Sequence, residues 1–177
     1  MIVMTDIAKK IITQHRSSYD VAIDMTVGNG NDTLFLTKIA TLVYGFDIQH
    51  EALIITRERL KDNRVTNCRL FEKGHEHFDT HVPETVDLAV YNLGYLPGGD
   101  KSIITQARTT LKSLDRLLPK LNKNALVVLV VYQGHDEKEK HALEAYVKTL
   151  PVPAYDVFSF SSLNTTKAPG IIGIIKK

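Results

Sequence analysis

Apolar residues recur along this chain in two periods, and the two periods alternate. Residues 5–15 place Ile7, Ala8, Ile11 and Ile12 on one side of a helix, which Thr5 or Asp6 can cap. A short apolar run at 21–25 then reads as a buried strand. A helix over 32–40, a strand over 42–47, a helix over 51–61 and strands over 68–72 and 86–93 follow. Over 102–121, Ile104, Ala107, Leu111, Leu114, Leu118 and Leu121 recur at intervals of three and four. That spacing predicts a long helix, bent or ended at Pro119. Residues 125–132 are almost wholly apolar, as in a central strand covered on both faces. A helix over 137–149 precedes two strand-like runs, 154–160 and 170–176. No helix separates those two, so they pair antiparallel. Strands alternating with helices and closed by such a pair make a doubly wound sheet with an antiparallel edge. Ligands of such sheets bind at the carboxyl ends of the strands, so chemistry is sought just after each strand.

Composition narrows the choice. A chain of 177 residues fits one domain over 1–177. Twenty-two Lys and Arg against 20 Asp and Glu leave a net charge of +2, which excludes holding nucleic acid by bulk charge but leaves room for a local basic face. The single cysteine, Cys68, excludes an internal disulfide. No apolar run approaches the roughly 18–20 residues that span a bilayer. The first fifteen residues carry charges inside their apolar stretch, unlike a signal peptide. The expectation is a cytoplasmic protein without a membrane partner.

The first motif is Asp24, Thr26, Gly28, Asn29, Gly30, Asn31, Asp32 and Thr33, directly after the first strand. Two glycines one apart let the backbone turn sharply and approach a ligand, and the helix that starts there offers free N–H groups. With an acid at the strand end, the pattern favours a nucleotide-type ligand over a plain turn. Thr33 stands where a dinucleotide fingerprint has its third glycine, which argues against NAD. Asp47, nineteen residues beyond Gly28, suits two hydrogen bonds from a ribose diol, with Ile48 and Gln49 flanking a base. Capping the helix over 51–61 is the alternative role for Asp47. His75 and Glu76, after the third strand, border the same edge. Cys68 and His81 lie near them in sequence, but no pair has a zinc-site spacing, so no metal is expected.

The fullest motif is Asn92, Leu93, Gly94, Tyr95, Leu96, Pro97, Gly98, Gly99, Asp100 and Lys101. An Asn side-chain oxygen at a strand end, with a nearby carbonyl, can accept the N–H bonds of an amine and leave its lone pair facing an electrophile. Tyr95 can stack on a base. Tyr132 and His135 end the next strand and suit substrate binding or simply the start of a helix. Asn164 and the 167–170 turn can reach the same edge. Arg108, Lys112, Arg116 and Lys120 repeat every four residues as a basic stripe, which serves either phosphates or solvent.

On these residues the chain resembles the class I S-adenosylmethionine-dependent methyltransferases. More narrowly, it is similar to the small bacterial YtqB-like family long labelled rRNA methylase, through VGNGNDT at 27–33, FDIQ at 46–49, GHE at 74–76 and NLGYLPGGDK at 92–101. The generic loop of the class is DxGxGxG, and Thr26 stands at its first glycine, a departure this family shares. The resemblance spans the whole chain. It implies a Rossmann-like, seven-stranded, mostly parallel sheet of order 3-2-1-4-5-7-6, strand 7 antiparallel, with helices on both faces. It implies S-adenosyl-L-methionine as cofactor, bound along Asp24–Thr33, Asp47–Gln49, His75–Glu76 and Asn92–Gly94. It also implies N-methylation of the wobble-position 5-aminomethyl-(2-thio)uridine in the anticodon arm of tRNA.

The attacking amine must be neutral, whereas a simple alkylamine has a pKa of about 10.4. Desolvation lowers it, and Asp100, Asn92 or His135 can help to remove the proton. Asn92, Tyr95 and Asp100 are the candidate catalytic residues. Leu96, Pro97, Gly98, Gly99, Lys101, Tyr132, His135, Arg108 and Lys112, with Tyr95, are the candidate substrate contacts. A homodimer suits so small an enzyme gripping a larger RNA. The competing readings are a methyltransferase of rRNA, of a small-molecule amine or of protein, and a cofactor-binding protein without turnover.

Overall fold

The structure is a computed structural model and describes residues 3–94, 105–132, 137–165 and 168–177; for residues 137 and 138 it describes the backbone only. Its elements are α1 (Met4–His15), β1 (Tyr19–Asp24), α2 (Asn31–Leu36), β2 (Ala40–Asp47), α3 (His50–Asp62), β3 (Cys68–Glu72), β4 (Val86–Leu93), α4 (Ala107–Leu117), β5 (Leu121–Val131), α5 (Glu137–Val147), β6 (Tyr155–Phe160) and β7 (Gly170–Lys176). Two 3-10 helices, His75–Thr80 and Leu118–Lys120, join them. The seven strands form one sheet of order β3-β2-β1-β4-β5-β7-β6. All neighbours pair parallel except β7, which runs antiparallel to both β5 and β6.

The pleat explains the two-sided core, because successive side chains on a strand point to opposite faces. Ile23, Tyr44, Phe46, Ala89, Tyr91, Val127 and Leu129 enter one layer with Leu114 and Leu117 of α4 and Leu143 of α5. Their neighbours Ala22, Val43, Leu88, Val90, Val128 and Val130 enter the other with Met4, Ala8 and Ile12 of α1. Ala125–Val131 is buried throughout, as the unbroken apolar run predicts.

Several boundaries differ from the sequence reading, each for a local reason. Helix α1 is preceded by Val3 with no side-chain cap, so neither Thr5 nor Asp6 caps it. Strand β1 starts at Tyr19 because that residue already pairs with Ala40 of β2, and the buried Asp87 carboxylate accepts the N–H groups of Asp20 and Val21, both at 3.1 Å. Helix α2 stops at Leu36, and Ala40 already pairs in β2. The long helix expected over 102–121 is α4 alone within the described residues; Pro119 sits in the 3-10 turn that ends it, and Leu121 already pairs with Val86. Residues 102–104 of that expectation lie outside the described residues. Strand β5 reaches back to Leu121 across an irregularity in its pairing with β4, where Asn124 takes φ 63°. The buried face of α4 is also rotated. Thr110, Ser113, Leu114 and Leu117 are buried, whereas Ala107 and Leu111 are half-exposed. Hydroxyls are tolerated inside because each finds a partner: Ser113 with the Tyr91 hydroxyl at 2.7 Å, and Thr110 with the buried Glu139 carboxylate at 3.0 Å.

Helix α3 ends in a Schellman motif. The Val65 N–H donates to Leu60 O and the Arg64 N–H to Lys61 O, both at 2.9 Å. Arg64 holds the left-handed position, φ 55°, that glycine usually takes. That conformation costs a non-glycine residue about 1 kcal/mol. Arg64→Gly is therefore expected to stabilise the protein by about 0.5–1 kcal/mol in urea denaturation. A loss of stability instead would mean that the arginine side chain offsets the strain.

Candidate active site

The carboxyl ends of β1, β2 and β4 meet at one edge, and the turn after β1 threads between them. The Met25 N–H donates to Val90 O at 2.9 Å and the Val27 N–H to Phe46 O at 3.1 Å, so the turn is stitched to both neighbouring strands. Gly28 and Gly30 have φ 52° and 75°. Gly30 also lacks room for a side chain, since a Cβ there would lie 2.6 Å from the Thr56 hydroxyl oxygen. Thr56, fully buried on α3, donates that hydroxyl to Gly28 O at 3.1 Å.

Asp47 caps nothing. The residue before α3 is Gln49, and Asp47 instead accepts the Gly28 N–H at 2.8 Å through one oxygen and the Gln49 N–H at 2.9 Å through the other. Each oxygen keeps a lone pair, which is what a ribose diol would need. Ile48 beside it is 60% exposed, an apolar surface that a base could cover.

Asn92 is fixed twice. Its backbone N–H donates to the Thr26 hydroxyl at 2.7 Å, and its side-chain Nδ2 donates to Asp32 Oδ2 at 3.2 Å. Thr26 thus stands at a position where the class has glycine because its hydroxyl ties the turn to the end of β4. With Nδ2 engaged, the Asn92 side-chain oxygen is left as an acceptor.

Asp24 lies fully buried under the turn. It accepts the Thr26 N–H at 3.1 Å and the Thr33 hydroxyl at 2.6 Å. Burial, and then the neighbouring Asp32 charge, push its carboxyl from 3.8 up to about 7 against those donors. The sign of the consequence follows from linkage. The folded carboxyl keeps its proton up to about pH 7, and the unfolded one loses it near 3.8. Stability therefore falls as pH rises between those values and stays lowered above them. Asp24→Asn is expected to be more stable than wild type at pH 8, by about 1–3 kcal/mol, with the difference vanishing toward pH 4. Urea denaturation across that range checks it; equal stability at pH 8 would show that the buried carboxylate carries no such cost.

His75 is buried, with Nδ1 3.2 Å from Met25 O. A carbonyl only accepts, so Nδ1 carries the proton and Nε2 is a bare acceptor, buried without a protein partner. Burial lowers the ring's pKa and keeps it neutral at pH 7. The segment His75–Thr80 is a 3-10 helix, and the Glu76 side chain folds back over Gly74. A left-handed glycine turn, a carboxylate with spare lone pairs and an orphaned buried nitrogen fit an adenosyl cofactor.

The remaining expectations divide. Asn29, Asn31 and Gly94 lie on the same edge, half-buried or exposed, while the Leu93 side chain points into the core, so only its backbone can meet a ligand. Thr33 spends its hydroxyl on Asp24. A Cβ on Gly94 would stand 3.6 Å from the Tyr132 ring, so the ends of β4 and β5 adjoin, with Tyr132 41% exposed. Tyr95, Leu96, Pro97, Gly98, Gly99, Asp100, Lys101 and His135 lie outside the described residues, as does Lys167. The basic stripe is cut in half. Arg116 donates to Glu76 O at 2.8 Å and pairs with Asp79 at 2.9 Å, holding α4 to the His75–Thr80 segment, while Lys120, in the turn after α4, donates to Val82 O. Arg108 and Lys112 remain exposed. Among the described residues no three His, Cys, Asp or Glu gather as a metal site, and no helix is long and apolar enough to cross a membrane. Sequence reasoning missed Thr56 and Lys9. Thr56 reads as a polar residue on a helix; its one signal is its place on the buried side of α3.

A sheet of this order, with β7 alone antiparallel and a glycine turn after β1, defines a Rossmann-like methyltransferase fold. The chain belongs to the family described as "Putative rRNA methylase", whose model matches residues 43–176. A protein of Streptococcus mutans, described as a putative methyltransferase and solved in complex with SAH, shares 36% identity and a TM-score of 0.93, covering 100% of this chain and 99% of its own. An rRNA-methylase-like protein of Clostridium thermocellum shares 29% and a TM-score of 0.95, with the same coverage. The chloroplastic tRNA (mnm(5)s(2)U34)-methyltransferase of Arabidopsis thaliana is 36% identical over 189 residues, covering 98% of this chain and 69% of that protein.

Proposed function

We propose that this protein transfers a methyl group from S-adenosylmethionine to the amine of 5-aminomethyl-(2-thio)uridine at the wobble position of tRNA. The observation that carries the substrate is the 36% identity, over nearly the whole chain, to a tRNA methyltransferase of that specificity. The site chemistry agrees with an amine acceptor. Bound S-adenosylmethionine supplies an electrophilic methyl on a sulfonium. Asp47 holds the ribose hydroxyls, and the Gly28–Gly30 turn lets the backbone lie close to the cofactor. His75 Nε2 accepts an N–H from the adenine side of the pocket. Asn92 accepts an N–H of the incoming amine through its side-chain oxygen, which orients the lone pair.

No protein nucleophile is needed, since positioning alone can supply on the order of 7–11 kcal/mol. Tyr95, Asp100 and His135 belong to this proposal as the base platform and the candidate proton acceptors. Arg108 and Lys112, the exposed half of the stripe, meet tRNA phosphates. Nucleoside mass spectrometry tests the reading. The purified protein, S-adenosylmethionine and tRNA bearing 5-aminomethyl-2-thiouridine are expected to yield one added methyl on that nucleoside. Methylation of rRNA in place of tRNA would instead favour the family's older description.

A further inference from the structure

We propose that Lys9 and Asp32 are positioning residues for methyl transfer, holding the Asn92 amide in the one orientation that turns its oxygen to the acceptor amine. The inference rests on the methyltransferase reading of the site. The chain of contacts begins on α1, an element the glycine and asparagine motifs do not include. Lys9 Nζ lies 3.1 Å from Asp32 Oδ1 and 5.6 Å from the centre of the Phe35 ring. The other Asp32 oxygen accepts Asn92 Nδ2 at 3.2 Å. The two charged side chains are 30% and 15% exposed, so the pair is largely shielded from water.

An asparagine amide can flip, exchanging its oxygen and nitrogen. Beside a neutral partner with both a donor and an acceptor, either orientation is satisfied. Beside a carboxylate only one is, because the flipped oxygen would face another acceptor. Asp32 therefore fixes the amide, and Lys9 fixes Asp32. An ordinary surface ion pair contributes little. This pair matters through what it orients, since a misplacement of about 1 Å at a reacting group can cost 10²-fold in rate.

Lys9 also sets the local charge. The groups facing Asn92 and its turn are Asp24 from β1, Asp32 from α2, Asp47 from β2 and the neutral His75. Asp32 and Asp47 crowd this edge beside Asp24, whose burial raises its pKa to about 7, and Lys9 is the cation paired to Asp32. Without it, the uncompensated Asp32 carboxylate would favour the protonated, unreactive form of the amine.

The test uses the full chain and the tRNA substrate. Lys9→Met is expected to lower kcat about ten-fold or more at pH 7 and to move the acid limb of the kcat profile to higher pH. S-adenosylmethionine affinity should stay within about two-fold. Lys9→Arg should restore most of the rate, and Asp32→Asn, which permits the flip, should make Lys9→Met nearly silent in the double variant. An unchanged kcat in Lys9→Met, or additive effects, would overturn the proposal. Exchange of the Asn92 side-chain NH₂ protons, followed by NMR without substrate, gives an independent reading. Protection lost in Lys9→Met and Asp32→Ala supports the clamp even if wild type methylates no tRNA, an outcome that would defeat only the substrate reading. Protection unchanged in both variants defeats the clamp.

Discussion

Asn92→Ala is expected to lower kcat by about 10²–10³-fold while leaving the dissociation constant of S-adenosylmethionine within about three-fold. The magnitude is that of removing one pre-oriented polar group from a reacting centre. The split between the two constants comes from the geometry. Asn92 is joined to the glycine turn by its backbone N–H, which donates to Thr26 at 2.7 Å, and alanine keeps that bond. The bed of the cofactor is therefore retained, and what disappears is the side-chain oxygen. Asn92→Asp should not rescue the rate at pH 7. It keeps the shape but sets a carboxylate where Nδ2 now lies, 3.2 Å from Asp32, and two like charges at that separation repel. Steady-state kinetics with calorimetric titration of the cofactor decide the matter. Wild-type kcat in Asn92→Ala would return Asn92 to a purely structural role at the end of β4.

Gly30→Ala should strike the opposite quantity, weakening cofactor binding at least ten-fold and destabilising the fold by about 2–5 kcal/mol. Two costs add. A φ of 75° strains any side chain by about 1–2 kcal/mol. The new Cβ would also press within 2.6–3.0 Å of three Thr56 side-chain atoms, and Thr56 is fully buried with its hydroxyl committed to Gly28 O. Overpacking of that kind costs about 1–3 kcal/mol. The two costs can be separated, because Thr56→Ala removes the two closest contacts but not the strain. The double variant should accordingly be more stable than the sum of the single effects predicts. Strict additivity in thermal unfolding would mean that the clash relaxes elsewhere and that the backbone conformation carries the whole effect.

Much of this was legible in one dimension. The unbroken apolar run at Ala125–Val131 reads as a strand covered on both faces, and it pairs with β4 on one side and β7 on the other. The absence of a helix between the last two runs required an antiparallel pair, which β6 and β7 form. Asp24, Asp47 and Asn92 stand at strand ends in the sequence, and the sheet brings those ends to one edge. Helix ends were less legible. Pro119 signals the end of the long helix in the sequence itself, but the irregular pairing at Asn124 depends on β5 reaching back to β4, a contact invisible to periodicity.

Charge was the least legible feature. A four-residue spacing cannot distinguish cations that face solvent from cations that hold one element to another. Arg108 and Lys112 are exposed, but Arg116 is consumed by a carbonyl and a carboxylate of the His75–Thr80 segment and Lys120 by the Val82 carbonyl. Lys9 shows the converse, since on α1 it reads as a solvated residue while in space it reaches the carboxylate that holds Asn92. The sequence by itself determined the kinds of element, their order and the strand-end residues, because hydrophobic period and glycine conformation are local properties of the chain. The tertiary structure alone decided which polar groups are spent on one another and which are left for a ligand. Hydrogen bonds such as those of Asp47 to Gly28, Thr26 to Asn92 and Asn92 to Asp32 join residues 19, 66 and 60 positions apart, and only the closed sheet brings such partners within reach.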